Sequence, residues 1–203
     1  MELIPTEEDV IKLLRNTGAL RYGFFEYPNG MFSNEYLQVA LAMRHYEVNK
    51  ILSVGLSRKV RSDAEIRAMI PQLSVVAPAT GGLPVAYGVC EALRARQVYW
   101  AESESLEAPL RFRQYMEVAP GEKVLLVDDL MRTGRRMTQL KNLVEDSGGQ
   151  VVGIAVIIYQ PSPNCAAFGD IPFFYLAKLE SKFCTDKESC DIAPGQEPVK
   201  VWV

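Results

Sequence analysis

Residues 124–138 read VLLVDDLMRTGRRMT. The first four are continuously apolar, the pattern of a strand buried on both faces of a parallel sheet, and Asp128 and Asp129 follow where that run ends. Open α/β sheets bind ligands at the carboxyl ends of their strands. Ionised carboxylates only accept hydrogen bonds, so an adjacent pair suits the vicinal hydroxyls of a sugar. Thr133 and Gly134 then turn the chain into a helix whose first N–H groups lack intrahelical partners and favour a phosphate. Arg132, Arg135 and Arg136 add positive charge. Together these residues predict a site for a phosphorylated polyol.

Strand and helix signals extend in both directions from this stretch. Thr6 followed by Glu7, Glu8 and Asp9 starts a helix with an N-cap and an acidic first turn, and Gly18 stops it. Residues 20–34 are aromatic and rich in turn formers, with Pro28, Asn29 and Gly30 marking a tight turn, so they predict a short hairpin that forms a hood beside the core. Helical spacing runs from Tyr46 to Met69 with a break near Ser62 and Asp63. Strands are expected at 73–77, 97–102, 110–115, 151–159 and 172–177, and a helix from Arg135 to about Ser147, where Gly148 and Gly149 end it. This alternation predicts a single doubly wound α/β domain over residues 1–203 with a mainly parallel central sheet. Within it, 1–45 form the N-terminal helix and hood, 70–180 the core and 181–203 a tail.

Composition excludes several alternatives. A chain of 203 residues with 48% hydrophobic content is long enough to bury a substantial core. With 22 Lys and Arg against 25 Asp and Glu, the net charge of -3 offers no basic field for nucleic acid or an anionic membrane. The opening MELIPTEEDV lacks a basic n-region and an apolar h-region, and no run approaches the length needed to cross a bilayer. A cytoplasmic protein without nucleic-acid or membrane partners is the expectation. Neither GxxxxGK[ST] nor GxGxxG after a strand occurs, which disfavours ordinary NTPases and dinucleotide enzymes. The four cysteines do not read as a secreted disulfide framework. Cys184 and Cys190 read as a loop pair, with no neighbouring His to complete a zinc site. The single histidine, His45, falls on an expected surface turn and has no acid or nucleophile partner in sequence.

Residues 124–138 resemble the phosphoribosyl diphosphate (PRPP) signature of type I phosphoribosyltransferases, and within that superfamily the chain is most similar to the orotate enzymes. VVAPATGGLPVAYGVCEAL at 75–93 is similar to the family's second loop, SNEYLQVAL at 33–41 to its substrate-end segment, and APGEK at 119–123 to the lead-in of the signature. The resemblance implies transfer of a 5-phosphoribosyl group from PRPP to a nucleobase, with orotate giving orotidine 5′-monophosphate and diphosphate in pyrimidine biosynthesis. It leaves open another acceptor base, or a non-catalytic regulator that senses PRPP. It further implies Mg2+ carried by the substrate near Asp128 and Asp129, with no direct protein metal site, and a homodimer.

Carried over residue by residue, the resemblance gives Asp128 and Asp129 the ribose hydroxyls. Arg132, Thr133, Gly134, Arg135, Arg136, Met137 and Thr138 take the 5′-phosphate, and Ala79, Thr80 and Gly81 the diphosphate. The hairpin at 102–113 becomes a lid with Glu102, Arg111 and Arg113 as catalytic candidates. Phe24, Phe25 and Tyr36 become stacking surfaces for the base, beside Phe32. The chain departs from the family pattern at Met137, which replaces a small hydroxyl residue. Glu102, Ser103 and Glu104 stand where a basic residue is usual, and Gln38 and Val39 where many orotate enzymes have Lys.

Overall fold

A computed structural model describes residues 4–28, 30–105, 108–114, 116–180, 183–186, 189–190 and 197–201. Helix α1 (Glu7–Asn16) opens on a capping box: Thr6 Oγ1 accepts the Asp9 N–H and Asp9 Oδ2 accepts the Thr6 N–H, both at 3.1 Å. Strands β1 (Leu20–Glu26) and β2 (Phe32–Leu37) then form the expected antiparallel hairpin; Asn29 of its turn lies outside the described residues. Helices α2 (Ala40–Met43), α3 (Tyr46–Ser62) and α4 (Ala64–Met69) follow. The break between the last two falls at Asp63, whose carboxylate accepts the N–H groups of Glu65 and Ile66 at 3.0 and 2.9 Å. The core continues as β3 (Ser74–Pro78), α5 (Gly82–Leu93), β4 (Gln97–Glu102), β5 (Arg111–Phe112), β6 (Lys123–Met131), α6 (Arg135–Asp146), β7 (Gln150–Tyr159) and β8 (Phe173–Lys178). Short strands β9 (Phe183–Cys184) and β10 (Val199–Lys200) close the order.

Among the described residues, six strands form one sheet in the order β5-β4-β3-β6-β7-β8, parallel except for β5 at the edge. Successive residues of each central strand face opposite layers. Val75, Leu125, Val127 and Ala155 share one apolar cluster with α1, α3, α4 and α5, whereas Val76, Val124, Leu126 and Ile154 share the other with α6. The Val, Leu and Ile side chains among these stabilise the fold by roughly 1.5–3 kcal/mol each when fully buried. Gly88 allows α5 to lie close on α3, since a β-carbon there would collide with Ser53 Oγ. From β3 the chain winds outward to β4, and from β6 it winds the other way to β7. The loops after β3 and β6 therefore part at a topological switch point, where such sheets open a ligand crevice.

The hood differs from the sequence expectation in its membership. It is a sheet ordered β10-β1-β2-β9, so two C-terminal strands flank the N-terminal hairpin. Strands of two residues carry too little periodic signal to be read locally. Cys184 and Cys190 are also more than a loop pair: they form a disulfide, with their α-carbons 5.5 Å apart. The expected strand at 110–115 shrinks to β5, and Tyr115 lies outside the described residues. His45 is exposed ahead of α3. Among the described residues no helix is long and apolar enough to cross a membrane.

Candidate active site

The switch point holds an open cleft of about 710 Å³, walled by 37–40 at the end of the hood, 78–81 after β3, and 128–137 from β6 into α6. Both acids lie within β6 and not beyond it, because parallel pairing with β7 continues through Asp128 opposite Val156 to Met131 opposite Tyr159. Asp128 is 7% exposed and its Oδ1 accepts the Asp129 N–H at 2.9 Å. Burial pushes the Asp128 carboxyl well above the usual carboxylate range, the Asp129 charge adds to this, and the nearby Arg136 opposes it. Burial raises Asp129 as well, against its hydrogen bonds to Asp128 and the Leu130 backbone and the pull of Arg132.

The loop after β3 comes close to these acids. Built β-carbons would stand 3.2 Å from Asp129 Oδ1 at Gly81 and 3.0 Å from Asp128 Oδ1 at Gly82. The Ala79–Thr80 peptide is cis, and the Ala79 N–H is tied to the Ala101 carbonyl at 2.8 Å. Ala79, Thr80 and Gly81 thus face Asp128 and Asp129 across the crevice.

Gly134 makes the turn into α6 at φ +73°, with Ala166 packed where a β-carbon would go, 2.9 Å from the Ala166 Cβ. The loop after β7 also grips the turn through hydrogen bonds from Ala166 N–H to Thr133 carbonyl and from Ser162 N–H to Arg132 carbonyl, at 2.9 and 3.0 Å. The first α-helical bond runs from the Thr138 N–H to the Gly134 carbonyl at 2.8 Å, so the amides of Arg135, Arg136 and Met137 precede the helical ladder. Thr133 Oγ1 accepts the Arg135 N–H at 3.3 Å.

Several candidates from the sequence sit elsewhere than expected. Thr138 turns its hydroxyl back onto the Gly134 carbonyl at 3.0 Å and does not border the cleft. Met137 is 1% exposed, its side chain in the apolar cluster with Leu140 and Val144. Arg132 points away from the phosphate turn, with Nε donating to Gln160 Oε1 at 2.6 Å and Nη2 to the Leu37 carbonyl at 3.3 Å. Phe24, Phe25 and Tyr36 are buried in the hood: Phe24 packs on Phe32 and Phe25 on Tyr36, with ring centroids 5.5 and 5.7 Å apart. None of the three rings lines the cleft. Tyr36 reaches its edge through a 3.0 Å hydrogen bond from its hydroxyl to Gln38 Oε1.

The hairpin candidates form a second group. Arg113 Nε donates to Glu102 Oε2 at 2.7 Å, and this exposed pair holds the Glu102 carboxyl below its ordinary range. Arg111 is exposed on β5 and, with Glu102 and Arg113, borders a separate 280 Å³ cavity between the arms. Residues 106 and 107 of the expected lid lie outside the described residues. Ser103 links the first arm to the cleft, 3.5 Å from Arg136 Nη1.

Gln160 and Glu35 were missed by the sequence reading. Gln160 is 3% exposed, bonded to Arg132, and donates from Nε2 to Glu35 Oε1 at 3.2 Å. Its signal was available, since it directly follows the apolar run of β7, at the same sheet end as Asp128.

Comparison with known proteins agrees with this geometry. Residues 55–166 match the family described as "Phosphoribosyl transferase domain". Over 191 residues the chain is 33% identical to the orotate phosphoribosyltransferase of Carboxydothermus hydrogenoformans, covering 94% of each protein. It is 34% identical over 192 residues to that of Thermus thermophilus, covering 95% of this chain and 98% of the relative. Among solved structures, orotate phosphoribosyltransferase from Aeropyrum pernix superposes with a TM-score of 0.65 at 18% identity, covering 84% of this chain and 93% of the other. Adenine phosphoribosyltransferase from Leishmania donovani gives 0.61 at 17% identity, covering 96% and 89%, so at this distance the likeness concerns the fold. With its switch-point crevice and matched signature, the chain belongs to the phosphoribosyltransferase family.

Proposed function

We propose that the chain transfers the 5-phosphoribosyl group of PRPP to orotate, giving orotidine 5′-monophosphate and diphosphate in pyrimidine biosynthesis. One observation carries this reading: the Asp128–Asp129 pair, the loop 78–81 and the leading amides of α6 converge on one cleft. The similarity to orotate enzymes over nearly the full length of both chains supports the choice of acceptor.

In this reading Asp128 and Asp129 accept hydrogen bonds from the ribose hydroxyls and fix the sugar. The amides of residues 135–137 and the charge of Arg136 hold the 5′-phosphate. The backbone of 79–81 takes the diphosphate. The bond from C1 to the diphosphate oxygen breaks while a ring nitrogen bonds to C1, its proton passing to water or to the released diphosphate. Positioning and stabilisation of the departing negative charge supply the rate. Arg111 or Arg113 meets that charge from the hairpin, of the same subunit or of its partner in a homodimer. A cytoplasmic location belongs to the same reading.

The residues present fit Mg2+ arriving with the substrate. Among the described residues no three His, Cys, Asp or Glu side chains gather as a metal site. The two carboxylates offer the hard oxygen donors this ion prefers, reached through its retained water. When bound with PRPP, Mg2+ neutralises diphosphate charge.

The test is diphosphate release from PRPP with Mg2+ and a panel of free bases. Turnover with orotate supports the proposal, and turnover with a different base alone reassigns the acceptor. Binding of PRPP without release from any base would sink it in favour of a sensor.

A further inference from the structure

Among the described residues, the arginines on the cleft are Arg132, Arg135 and Arg136. Arg135 and Arg136 begin α6, at the phosphate end. Arg132 sits on the other side of the Thr133–Gly134 turn, with its guanidinium anchored at two atoms, Nε to Gln160 and Nη2 to the carbonyl of Leu37 where the hood meets the cleft. The Tyr27 and Phe183 ring centroids lie 5.8 and 5.9 Å from its central carbon. Two anchors on different nitrogens fix the plane of the fork as well as its position. A ligand whose phosphates occupy the α6 end of the cleft would therefore bring its acceptor ring, and not a phosphate, to this cation.

Gln160 determines where that cation stands. Its amide is nearly fully buried, so both ends need partners. The carbonyl accepts from Arg132 at 2.6 Å and the NH2 donates to Glu35 at 3.2 Å, while its backbone N–H is fastened to the Met131 carbonyl at 2.9 Å. A neutral side chain with one acceptor and one donor end fits between a guanidinium and a carboxylate; a Glu, Lys or Leu satisfies at most one side.

We infer that Gln160 is a positioning residue for acceptor specificity: it holds Arg132 in the seam between hood and cleft, where the guanidinium reads an anionic substituent on the acceptor ring. The inference rests on the phosphoribosyl-acceptor reading above and moves Arg132 from the phosphate to the base.

Calorimetric binding to the full chain tests it with orotidine 5′-monophosphate, uridine 5′-monophosphate, which lacks the carboxylate, and ribose 5-phosphate. The wild type is expected to prefer the carboxylate-bearing nucleotide by about tenfold, the size of one charge-assisted contact. Gln160→Leu and Arg132→Gln should each reduce that preference to within about twofold, with no further loss in the double variant, as for two residues acting through one contact. Ribose 5-phosphate affinity should stay at the wild-type level in the Gln160 variant, which also reports folding. If the leucine variant does not fold, Gln160→Asn is read in the same way, since the shorter side chain displaces the guanidinium. An undiminished preference in the Gln160 variant, additive losses, or a parallel fall in ribose 5-phosphate affinity overturns the role of Gln160. A wild type that binds both nucleotides equally also overturns it. A wild type that binds neither nucleotide overturns the phosphoribosyl-acceptor reading, and this inference with it.

Discussion

Gly81 lies against the carboxylate of Asp129, so that a β-carbon at position 81 would stand 3.2 Å from Oδ1 and 3.3 Å from Oδ2. The backbone angles of Gly81 are ordinary, φ −61° and ψ −38°, so the glycine serves close approach and not an unusual conformation. Gly81→Ala should push the two loops apart by a few tenths of an ångström where they share the ligand. We expect PRPP affinity to fall about tenfold, with melting temperature changed by no more than about 3 °C, since a single methyl at a cleft edge displaces little of the core. Titration calorimetry and a melting curve on the same preparation check both.

Asp128 carries an opposing stability effect. Its folded carboxyl is raised by burial first and by the Asp129 charge second, so between the ordinary carboxylate range and the raised value the native state keeps a proton that the unfolded chain has already released. Ligand-free stability therefore falls as pH rises from the ordinary carboxylate range through the raised value, and stays low above it. Asp128→Asn keeps the acceptor for the Asp129 N–H and removes the charge. The variant should melt above wild type at neutral pH, by a gap that narrows as pH drops toward the ordinary carboxylate range. With Asp129→Asn added, PRPP binding should be lost. A variant that melts below wild type at neutral pH contradicts the buried-charge account.

The elements around this pair differ in how far the sequence discloses them. β4 (Gln97–Glu102) and the Gly134 turn were readable because their signals are local: a bounded apolar run, and a glycine where φ must be positive. The extension of β6 to Met131 was not, since it depends on register with β7, a partner that lies after α6 in sequence. The same holds for the hood. Four aromatic residues in one short segment look like a ligand surface until β9 and β10 arrive from the far end of the chain and make Phe25, Tyr27 and Tyr36 a small core. The acid pair was visible as chemistry, whereas the direction of the Arg132 side chain depended on residues 35 and 160, far from it in sequence.

Arg111 and Arg113 should not contribute equally. Arg113 is bound to Glu102 on the exposed hairpin, while Arg111 has no ion pair among the described residues. Arg111→Ala is expected to lower kcat by about tenfold or more, as removal of a charge that stabilises the departing diphosphate would. Arg113→Ala should cost less than about threefold, because its charge is already partly neutralised by an exposed pair. Neither change should shift the melting temperature measurably. Equal losses of kcat would show that the Glu102 contact opens during turnover.

The Cys184–Cys190 disulfide closes a loop of sequence separation 6 and fastens β9, whose Phe183 packs edge-on against Tyr27 with centroids 5.5 Å apart. Loop closure of this size is worth about 2 kcal/mol in the chain-entropy account. Replacing both cysteines by serine should therefore lower the melting temperature by up to about 4–8 °C. Reductant should lower the wild type to the same value and leave the variant unmoved. Identical melting of the two proteins without reductant would show that the tail unfolds independently of the rest.

Thr138 and Arg136 separate two accounts of how the 5′-phosphate is held. A hydroxyl that donates to phosphate cannot also donate to the Gly134 carbonyl, and the 3.0 Å bond to that carbonyl follows the back-bonding geometry that helical Thr residues adopt. Thr138→Val removes only this internal bond, so PRPP affinity should stay within about twofold of wild type, as expected where backbone amides are the principal phosphate donors. Arg136 borders the cleft and its charge is felt at Asp128. Arg136→Ala should weaken PRPP binding by about tenfold and flatten its salt dependence, because a cation acting on a multiply charged anion is screened by added ions. Calorimetric titrations at low and high salt measure both changes. A tenfold loss in the valine variant would mean that the Thr138 hydroxyl leaves Gly134 to reach the phosphate, and the grip would then lie in side chains and not in the turn.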